Sequence, residues 1–281
     1  MNARSPLVST EWLAERLEAP DIRVADASWY LPQEQRDVRA EYRSAHIPKA
    51  VFFDLDELSD EGSSLPHMLP PAVKFASRMR RLGLGDGNTV VVYDSAGIYS
   101  APRAWWMLRA MGHEEVFVLD GGLPKWKREG RPIEDLSAQP FARHFTPRPN
   151  NALIRDYRQV AQALKSRSAQ IVDARSAKRF RGEEKEPRPG VRAGHMPGAL
   201  NLPYTELTTA EGVLKQPTEL RALFSAREID LERPQITTCG SGITAASLML
   251  AMVVAGAPSV ALYDGSWADW GGREDAAVER S

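Results

Sequence analysis

The two halves of this chain carry the same series of short motifs, and this internal repeat restricts the possible folds more than any other feature of the sequence. The run Val-Ala-Asp-Ala at residues 24–27 returns as Ile-Val-Asp-Ala-Arg at 171–175. The run at 45–51, which contains a His-x-Pro element, returns at 194–200. A short apolar run that ends in polar residues is expected where a buried parallel strand meets a loop.

A further pair of motifs predicts a strand, a loop and a helix in each half. Apolar runs lie at residues 90–94 and 235–239, and each is followed by a loop with glycine and then by a helical stretch. We expect these helices at about residues 100–111 and 244–254. Strands that alternate with helices are typical of α/β proteins with a parallel sheet. The sequence therefore predicts two tandem α/β domains, each a parallel sheet flanked by helices.

The bounds of the two domains follow from the repeat and from the composition between its copies. Residues 1–135 form the first predicted domain and residues 153–281 the second. Residues 136–152 contain three Pro and two Asn with little periodicity, which is typical of a linker. In the register of the repeat, Asp94 stands where the second copy has Cys239. Only the second domain can therefore carry out thiol chemistry, and the first is expected to be non-catalytic.

Composition and charge exclude several classes of partner. Lys and Arg together number 36 and Asp and Glu 37, so a net charge of −1 gives no sign of a nucleic-acid or membrane-surface partner. The longest apolar stretch, residues 248–257, is well short of the ~20 residues that a membrane-spanning helix needs. Residues 1–10 lack the apolar core of a secretory signal, and one cysteine cannot form an internal disulfide. We expect a cytoplasmic location.

The loop after the second-half strand is the candidate site for chemistry. A lone cysteine is more often a small buried hydrophobic residue than a nucleophile. Cys239, however, is followed by Gly240 and Gly242, and a helix is expected from about Thr244. A glycine-containing turn at a helix N-terminus directs several backbone N–H groups at one anion, and the helix dipole adds to their field. Both effects favour a thiolate over a thiol, which predicts a reactive cysteine.

Two other uses of this loop are disfavoured. A phosphatase loop of the cysteine type needs Arg after five intervening residues, and Ala245 stands there. A zinc site needs more sulfur or imidazole ligands than one Cys and five His readily supply. We therefore expect neither a metal nor an organic cofactor.

These features resemble the rhodanese superfamily. The resemblance rests on the tandem domains, the Cys-Gly-Ser-Gly-Ile-Thr loop at 239–244 and the His-Met-Pro-Gly-Ala element at 195–199, and it extends from about Ser9 to Gly271. Rhodaneses of the thiosulfate type typically carry cationic side chains directly after the cysteine. Residues 240–242 are uncharged, so the loop is more similar to the 3-mercaptopyruvate sulfurtransferases. The resemblance implies transfer of sulfur from mercaptopyruvate through a Cys239 persulfide to cyanide or to a thiol such as that of thioredoxin, with release of pyruvate.

The same resemblance implies a set of donor-binding residues. The segments 179–182 and 186–188 resemble the family's substrate-arginine segment, and Arg179 and Arg188 are the matching positions. A planar guanidinium binds a carboxylate through two parallel hydrogen bonds, which suits mercaptopyruvate. Arg181 is an open alternative to either arginine, and the charged stretch 178–192 taken alone would indicate a solvated loop. The remaining implied donor-binding residues are those of the cysteine loop: Gly240, Gly242, Ile243 and Thr244.

A Ser-His-Asp relay is also implied by the resemblance. It maps to Ser241, His67 and Asp56, although Pro66 precedes the histidine and Ile243 replaces the commoner Val. Without the resemblance, His67 would be interpreted as an ordinary loop histidine. His46 and His195 recur in both halves, including the half without a nucleophile, so we expect a structural role for both.

Two alternative functions stay open at this point. The first is a thiosulfate sulfurtransferase that uses the same cysteine, in which case the arginines of the charged stretch would have to supply the missing cationic charge. The second is a non-catalytic tandem module that binds a partner or senses oxidants through Cys239. The presence of both a loop cysteine and two candidate substrate arginines argues against the second.

Overall fold

The computed structural model describes residues 5–135, 138 and 140–281, and its contacts divide the chain into two compact units. Within the described residues, unit 1 is drawn from Met1–Glu61, Leu69–Asn150 and Thr209–Leu214, and unit 2 from Gly62–Met68, Asn151–Thr208 and Lys215–Ser281. Each unit thus includes one short segment from the opposite half of the chain. The domain bounds 1–135 and 153–281 stay a prediction. The contacts additionally assign Gly62–Met68 to unit 2 and Thr209–Leu214 to unit 1.

Unit 1 is an α/β unit with one parallel sheet in the order β1-β5-β4-β2-β3. Its strands are β1 (Leu7–Val8), β2 (Ile22–Asp26), β3 (Val51–Phe52), β4 (Thr89–Tyr93) and β5 (Val116–Leu119). Its helices are α1 (Thr10–Ala14), α2 (Val38–Ser44), α3 (Ala72–Arg81), α4 (Ala101–Ala110) and α5 (Gly122–Arg128). The four residues of β5 are all buried, as expected for a parallel strand covered on both faces.

Unit 2 repeats this architecture with the sheet order β6-β10-β9-β7-β8, again parallel throughout. Its strands are β6 (Ile154–Arg155), β7 (Gln170–Asp173), β8 (Leu200–Asn201), β9 (Gln235–Thr238) and β10 (Val260–Tyr263). Its helices are α6 (Tyr157–Ser166), α7 (Ala177–Arg181), α8 (Pro217–Ala226), α9 (Ile243–Ala255) and α10 (Ser266–Trp270). The predicted fold class, a parallel sheet flanked by helices in each of two copies, is confirmed.

Local sequence explains where several elements begin and where the cores lie. Helix α6 starts at a capping box, in which Asp156 accepts the N–H of Gln159 and the Gln159 side chain accepts the N–H of Asp156. Each core is centred on buried tryptophan and tyrosine side chains near the sheet. The central side chains are Tyr93 and Trp126 in unit 1, and Tyr263, Trp267 and Trp270 in unit 2. Among the described residues, no helix is both long and apolar enough to cross a membrane.

The segment predicted as a linker, 136–152, lies partly outside the described residues, at 136, 137 and 139. Its later part is fixed to unit 1 by backbone hydrogen bonds. The N–H of Arg148 donates to Met111 at 2.8 Å, and that of Asn150 donates to Ala110 at 2.7 Å. Residues 140–150 therefore pack as part of unit 1.

Candidate active site

Cys239 lies at the carboxyl end of a central strand of unit 2. Strand β9 ends at Thr238, Cys239 follows it, and helix α9 begins at Ile243. The chain turns so sharply that the residue before the helix, Gly242, has a φ of +84°, a left-handed conformation that suits glycine. The cysteine is buried and makes no disulfide. The predicted strand, loop and helix around the cysteine are thus present, with the helix starting one residue earlier than expected.

One backbone N–H group of the loop contacts the sulfur of the cysteine, where the sequence predicts several. The N–H of Gly242 donates to Sγ of Cys239 at 3.2 Å. The N–H of Cys239 itself donates to Oγ of Ser266, and that hydroxyl donates onward to the carbonyl of Tyr263. A hydrogen bond to sulfur at a helix N-terminus stabilises the anionic form of the thiol.

Two carbonyl groups of the cysteine loop point towards α10. The N–H of Trp267 donates to the carbonyl of Cys239, and the N–H of Ala268 donates to that of Gly240, both at 2.9 Å. In a trans peptide the C=O and N–H groups point in opposite directions. Because these peptides are trans, the N–H groups of Gly240 and Ser241 face away from α10.

The equivalent loop of unit 1 holds an anion with its backbone. Asp94 follows β4 as Cys239 follows β9, and its buried carboxylate accepts four N–H groups at 2.8–2.9 Å. The donors belong to Ala96, Tyr99, Ser100 and Ala101. A loop at this position of the fold therefore suits an anionic group. Unit 1 fills the position with its own carboxylate, and unit 2 has a thiol there.

His67 and Ser241, two members of the predicted relay, are brought together in unit 2. Their Nδ1 and Oγ atoms are hydrogen-bonded at 3.0 Å, and both residues are buried. His67 has a φ of +59°, which is uncommon for a residue other than glycine and persists only where the surroundings hold it. Such strain is frequent at functional sites.

Asp56, the third predicted member, belongs to unit 1. There its two carboxylate oxygens each lie 3.1 Å from the indole nitrogen of Trp29, which donates to them. Assembly of Ser241, His67 and Asp56 into one relay stays a prediction.

Arg179 lies directly beside the cysteine loop. It is carried by α7, which begins after Ser176 and is followed by Gly182 with a φ of +80°. A Cβ atom placed on Gly240 would lie 3.1 Å from Nη2 of Arg179 and 3.8 Å from its Nη1. Glycine at position 240 thus leaves the space that this guanidinium occupies next to the reactive cysteine.

The other two candidate arginines, Arg181 and Arg188, have different surroundings from Arg179. Arg181 is bound through Nε and Nη2 to the two carboxylate oxygens of Glu183, at 2.7 and 3.0 Å, and this hydrogen bonding raises its pKa. Arg188 lies half-buried in a bend, and its binding role stays a prediction. Of the remaining loop residues, Ile243 is buried and Thr244 half-buried in the first turn of α9.

A comparison with sequence models of protein families identifies the family of this chain. The sequence model of the rhodanese-like domain matches residues 9–129 and 156–273, one copy in each half of the chain. The chain belongs to the rhodanese-like family. The tandem repeat and the cysteine loop had already indicated this membership.

Curated relatives within the family match nearly the whole chain. The 3-mercaptopyruvate sulfurtransferase of Homo sapiens is 46% identical over 270 residues, which cover 94% of this chain and 91% of the relative. The protein of the same name from Escherichia coli (strain K12) is 46% identical, with 97% of each chain covered. The thiosulfate sulfurtransferase of Bos taurus is 43% identical, covering 94% of this chain and 91% of the relative. The resemblance to tandem-domain 3-mercaptopyruvate sulfurtransferases is confirmed.

Solved structures of the rhodanese-like family agree with the fold. SseA from Escherichia coli, described as a 3-mercaptopyruvate sulfotransferase with the rhodanese fold, has a TM-score of 0.87 at 44% identity. The comparison covers 94% of this chain and 99% of that one. Tum1 from Saccharomyces cerevisiae has a TM-score of 0.90 at 31% identity, with 98% of each chain covered.

Sequence reasoning missed one residue that contacts Arg179. Glu186 is one of three acids in the charged stretch, but only its side chain is nearly inaccessible, at 4% exposure, against 48% for Glu183 and 47% for Glu184. It binds Arg179 and also the buried Arg175. The pattern of charges along the sequence carries no signal that separates the buried acid from its exposed neighbours.

Proposed function

We propose that this chain transfers sulfane sulfur from 3-mercaptopyruvate to a thiol or to cyanide through a persulfide on Cys239, releasing pyruvate. The observation that carries the proposal is the cysteine at the N-terminus of α9, with a backbone N–H on its sulfur and the guanidinium of Arg179 beside its loop. A thiolate with these neighbours is a nucleophile placed next to a carboxylate-binding group.

The proposed first half-reaction begins when Arg179, together with Arg188, binds the carboxylate and polarises the ketone of mercaptopyruvate. The Cys239 thiolate attacks the donor sulfur, so an S–S bond forms and the C–S bond breaks. The electron pair of the broken bond moves into the enolate of pyruvate, which then takes up a proton. As the S–S bond forms, Ser241 takes up the proton of the donor's thiol group and passes its own hydroxyl proton to Nδ1 of His67, to which it is hydrogen-bonded.

The second half-reaction returns the enzyme to its starting state. A thiol or cyanide attacks the outer sulfur of the persulfide, and Cys239 leaves as a thiolate. The N–H of Gly242, which contacts the sulfur, stabilises this leaving group, and the N–H groups of Gly240 and Ser241 are proposed to cradle the outer sulfur. This division of one transfer into two steps is the strategy of covalent catalysis.

The identity of the donor is argued from the loop. Mercaptopyruvate carries one carboxylate, which one or two guanidinium groups can neutralise, whereas thiosulfate is a dianion. Residues 240–242 offer no cationic side chain. Thiosulfate is the second candidate, favoured by the 43% identity to the bovine thiosulfate sulfurtransferase. A higher kcat/KM for thiosulfate than for mercaptopyruvate would reverse the assignment.

The proposal is tested by intact-mass spectrometry of the full chain. Mercaptopyruvate is expected to add the mass of one sulfur atom, and cyanide to remove it with formation of thiocyanate. Cys239→Ser is expected to gain nothing. Absence of the gain in the wild-type chain, or its persistence in the variant, would refute the persulfide. Thioredoxin as acceptor and a cytoplasmic location belong to the same proposal, the latter supported by the single cysteine.

A further inference from the structure

The carboxylate of Glu186 lies between two arginines of unit 2. It accepts hydrogen bonds from Nε and Nη2 of Arg179, at 3.2 and 2.5 Å. It also accepts one from Nη1 of Arg175 at 2.8 Å. With only 4% of its side chain exposed, this carboxylate is held by two charges in a site that water hardly reaches. Charge-assisted bonds of this kind are short and strongly directional.

The contacts of Glu186 determine which edge of the Arg179 guanidinium remains available. A guanidinium has five N–H groups, and Glu186 takes the edge formed by Nε and Nη2. The opposite end, formed by Nη1 and the second N–H of Nη2, is the fork that binds a carboxylate end-on. Both of these nitrogens lie within 4 Å of the point where a Cβ atom on Gly240 would stand. The available fork is therefore next to the cysteine loop.

Glu186 is itself fixed by a framework that reaches the loop. Arg175, with 1% of its side chain exposed, binds both oxygens of Asp173 and the carbonyl of Gly194. Burial alone would lower the pKa of Arg175, but the charges of Asp173 and Glu186 outweigh it and raise the pKa. Its guanidinium stacks over the ring of Trp267 at 4.3 Å. The N–H of Trp267 in turn binds the carbonyl of Cys239, so one continuous set of contacts connects the arginine to the nucleophile.

We propose that Glu186 is a positioning residue for the donor half-reaction, which holds Arg179 with its free fork turned towards the Cys239 loop. The inference rests on the proposed function and adds a residue to it. Arg179 has a long side chain with many rotamers, and Glu186 removes that freedom before the donor arrives. Without the carboxylate, donor binding has to order the arginine as well.

The expected effect is confined to the donor. Glu186→Gln keeps the shape of the side chain but loses its charge and one of its two acceptor oxygens. We expect kcat/KM for mercaptopyruvate to fall about tenfold, mainly through KM, because donor binding then has to immobilise a side chain with many rotamers as well. Removal of sulfur from the preformed Cys239 persulfide by cyanide is expected to keep its wild-type rate. The cyanide step does not involve the donor carboxylate that Arg179 binds.

A matched control lies four residues from Arg179 on the same segment. Glu183 binds Arg181 through both oxygens in the same manner as Glu186 binds Arg179, but 48% of its side chain is exposed. Glu183→Gln is expected to leave both half-reactions unchanged. Thermal unfolding of each variant reports any general loss of stability.

A double-substitution cycle separates positioning from a merely structural role. In an Arg179→Met background, Glu186→Gln is expected to cause no further loss of kcat/KM, because it acts through that arginine. Equal losses in both backgrounds, or a wild-type KM in Glu186→Gln, would overturn the inference. If the wild-type chain gains no sulfur from mercaptopyruvate, the proposed function fails instead, so the two failures are distinguishable.

Discussion

Replacing Asp94 by Asn tests whether the loop of unit 1 depends on an internal anion. One carboxylate oxygen accepts the N–H groups of Tyr99, Ser100 and Ala101, and the other accepts that of Ala96. An amide has one oxygen and one NH₂ group. In the most favourable orientation its oxygen accepts the N–H groups of Tyr99, Ser100 and Ala101, and its NH₂ then faces the N–H of Ala96.

The cost follows from these four bonds. A buried N–H left facing a donor costs about 1–3 kcal/mol. The other three bonds lose the assistance of a full charge, which is worth about 0.5–1 kcal/mol each because such bonds are about twice as strong as neutral ones. We therefore expect Asp94→Asn to lower the free energy of unfolding by about 4 kcal/mol.

The measurement is urea unfolding of the full chain, with Asp86→Asn as the control. Asp86 is an exposed carboxylate bonded to Thr146, and its substitution is expected to cost less than about 1 kcal/mol. If Asp94→Asn destabilises the chain no more than Asp86→Asn does, the carboxylate is not what holds the loop.

Two further predictions concern the cysteine loop and the pH dependence of stability. Gly242→Ala places a side chain at a φ of +84°, which costs about 1 kcal/mol of stability. Relief of this strain shifts the turn and moves its N–H from the sulfur, so sulfur loading of Cys239 is expected to slow in a single-turnover mass assay. Unchanged loading would contradict the role given to this N–H. In Glu129, partial burial raises the pKa, but bonds from Lys125, Thr10 and Arg131 outweigh it and lower the pKa to about 2. A carboxylate with a lowered pKa stabilises the fold at every pH above its ordinary pKa of 4.5. This contribution is lost as the pH falls from 4.5 towards 2. The difference in unfolding free energy between wild type and Glu129→Gln is expected to be constant from pH 7 to 5 and smaller at pH 3.5; a difference that grows on acidification would refute the sign.

The sequence predicts those features of fold and site that depend on local pattern. The strand before Cys239, the glycine turn after it and a helix expected from about Thr244 all follow from short stretches in which apolar runs and glycines specify local conformation; the helix begins at Ile243. Because the same pattern occurs twice, it also predicts two copies of one α/β fold. Arg179, which the structure places beside the loop, was named only through the family resemblance, because the charged stretch 178–192 taken alone indicates a solvated loop.

Features that depend on burial or on distant contacts are not visible in the pattern. Glu186 is distinguished from Glu183 only by what packs around it, which local composition does not encode. The pairing of His67 with Ser241 joins residues that are 174 positions apart, and the sequence between them does not indicate which segment joins which unit. Only the family resemblance pointed to this histidine.

The exchange of short segments between the two halves has a consequence for synthesis of the chain. Ribosomes add about 5–20 residues per second, so His67 is made roughly 9 to 35 seconds before Ser241, 174 positions later. For that interval the first half carries a histidine whose partner has not been made. A gene fragment that encodes only residues 153–281 would keep the nucleophile but lack this histidine altogether. A gene shortened to its second half would therefore encode a candidate site that lacks one of its side chains.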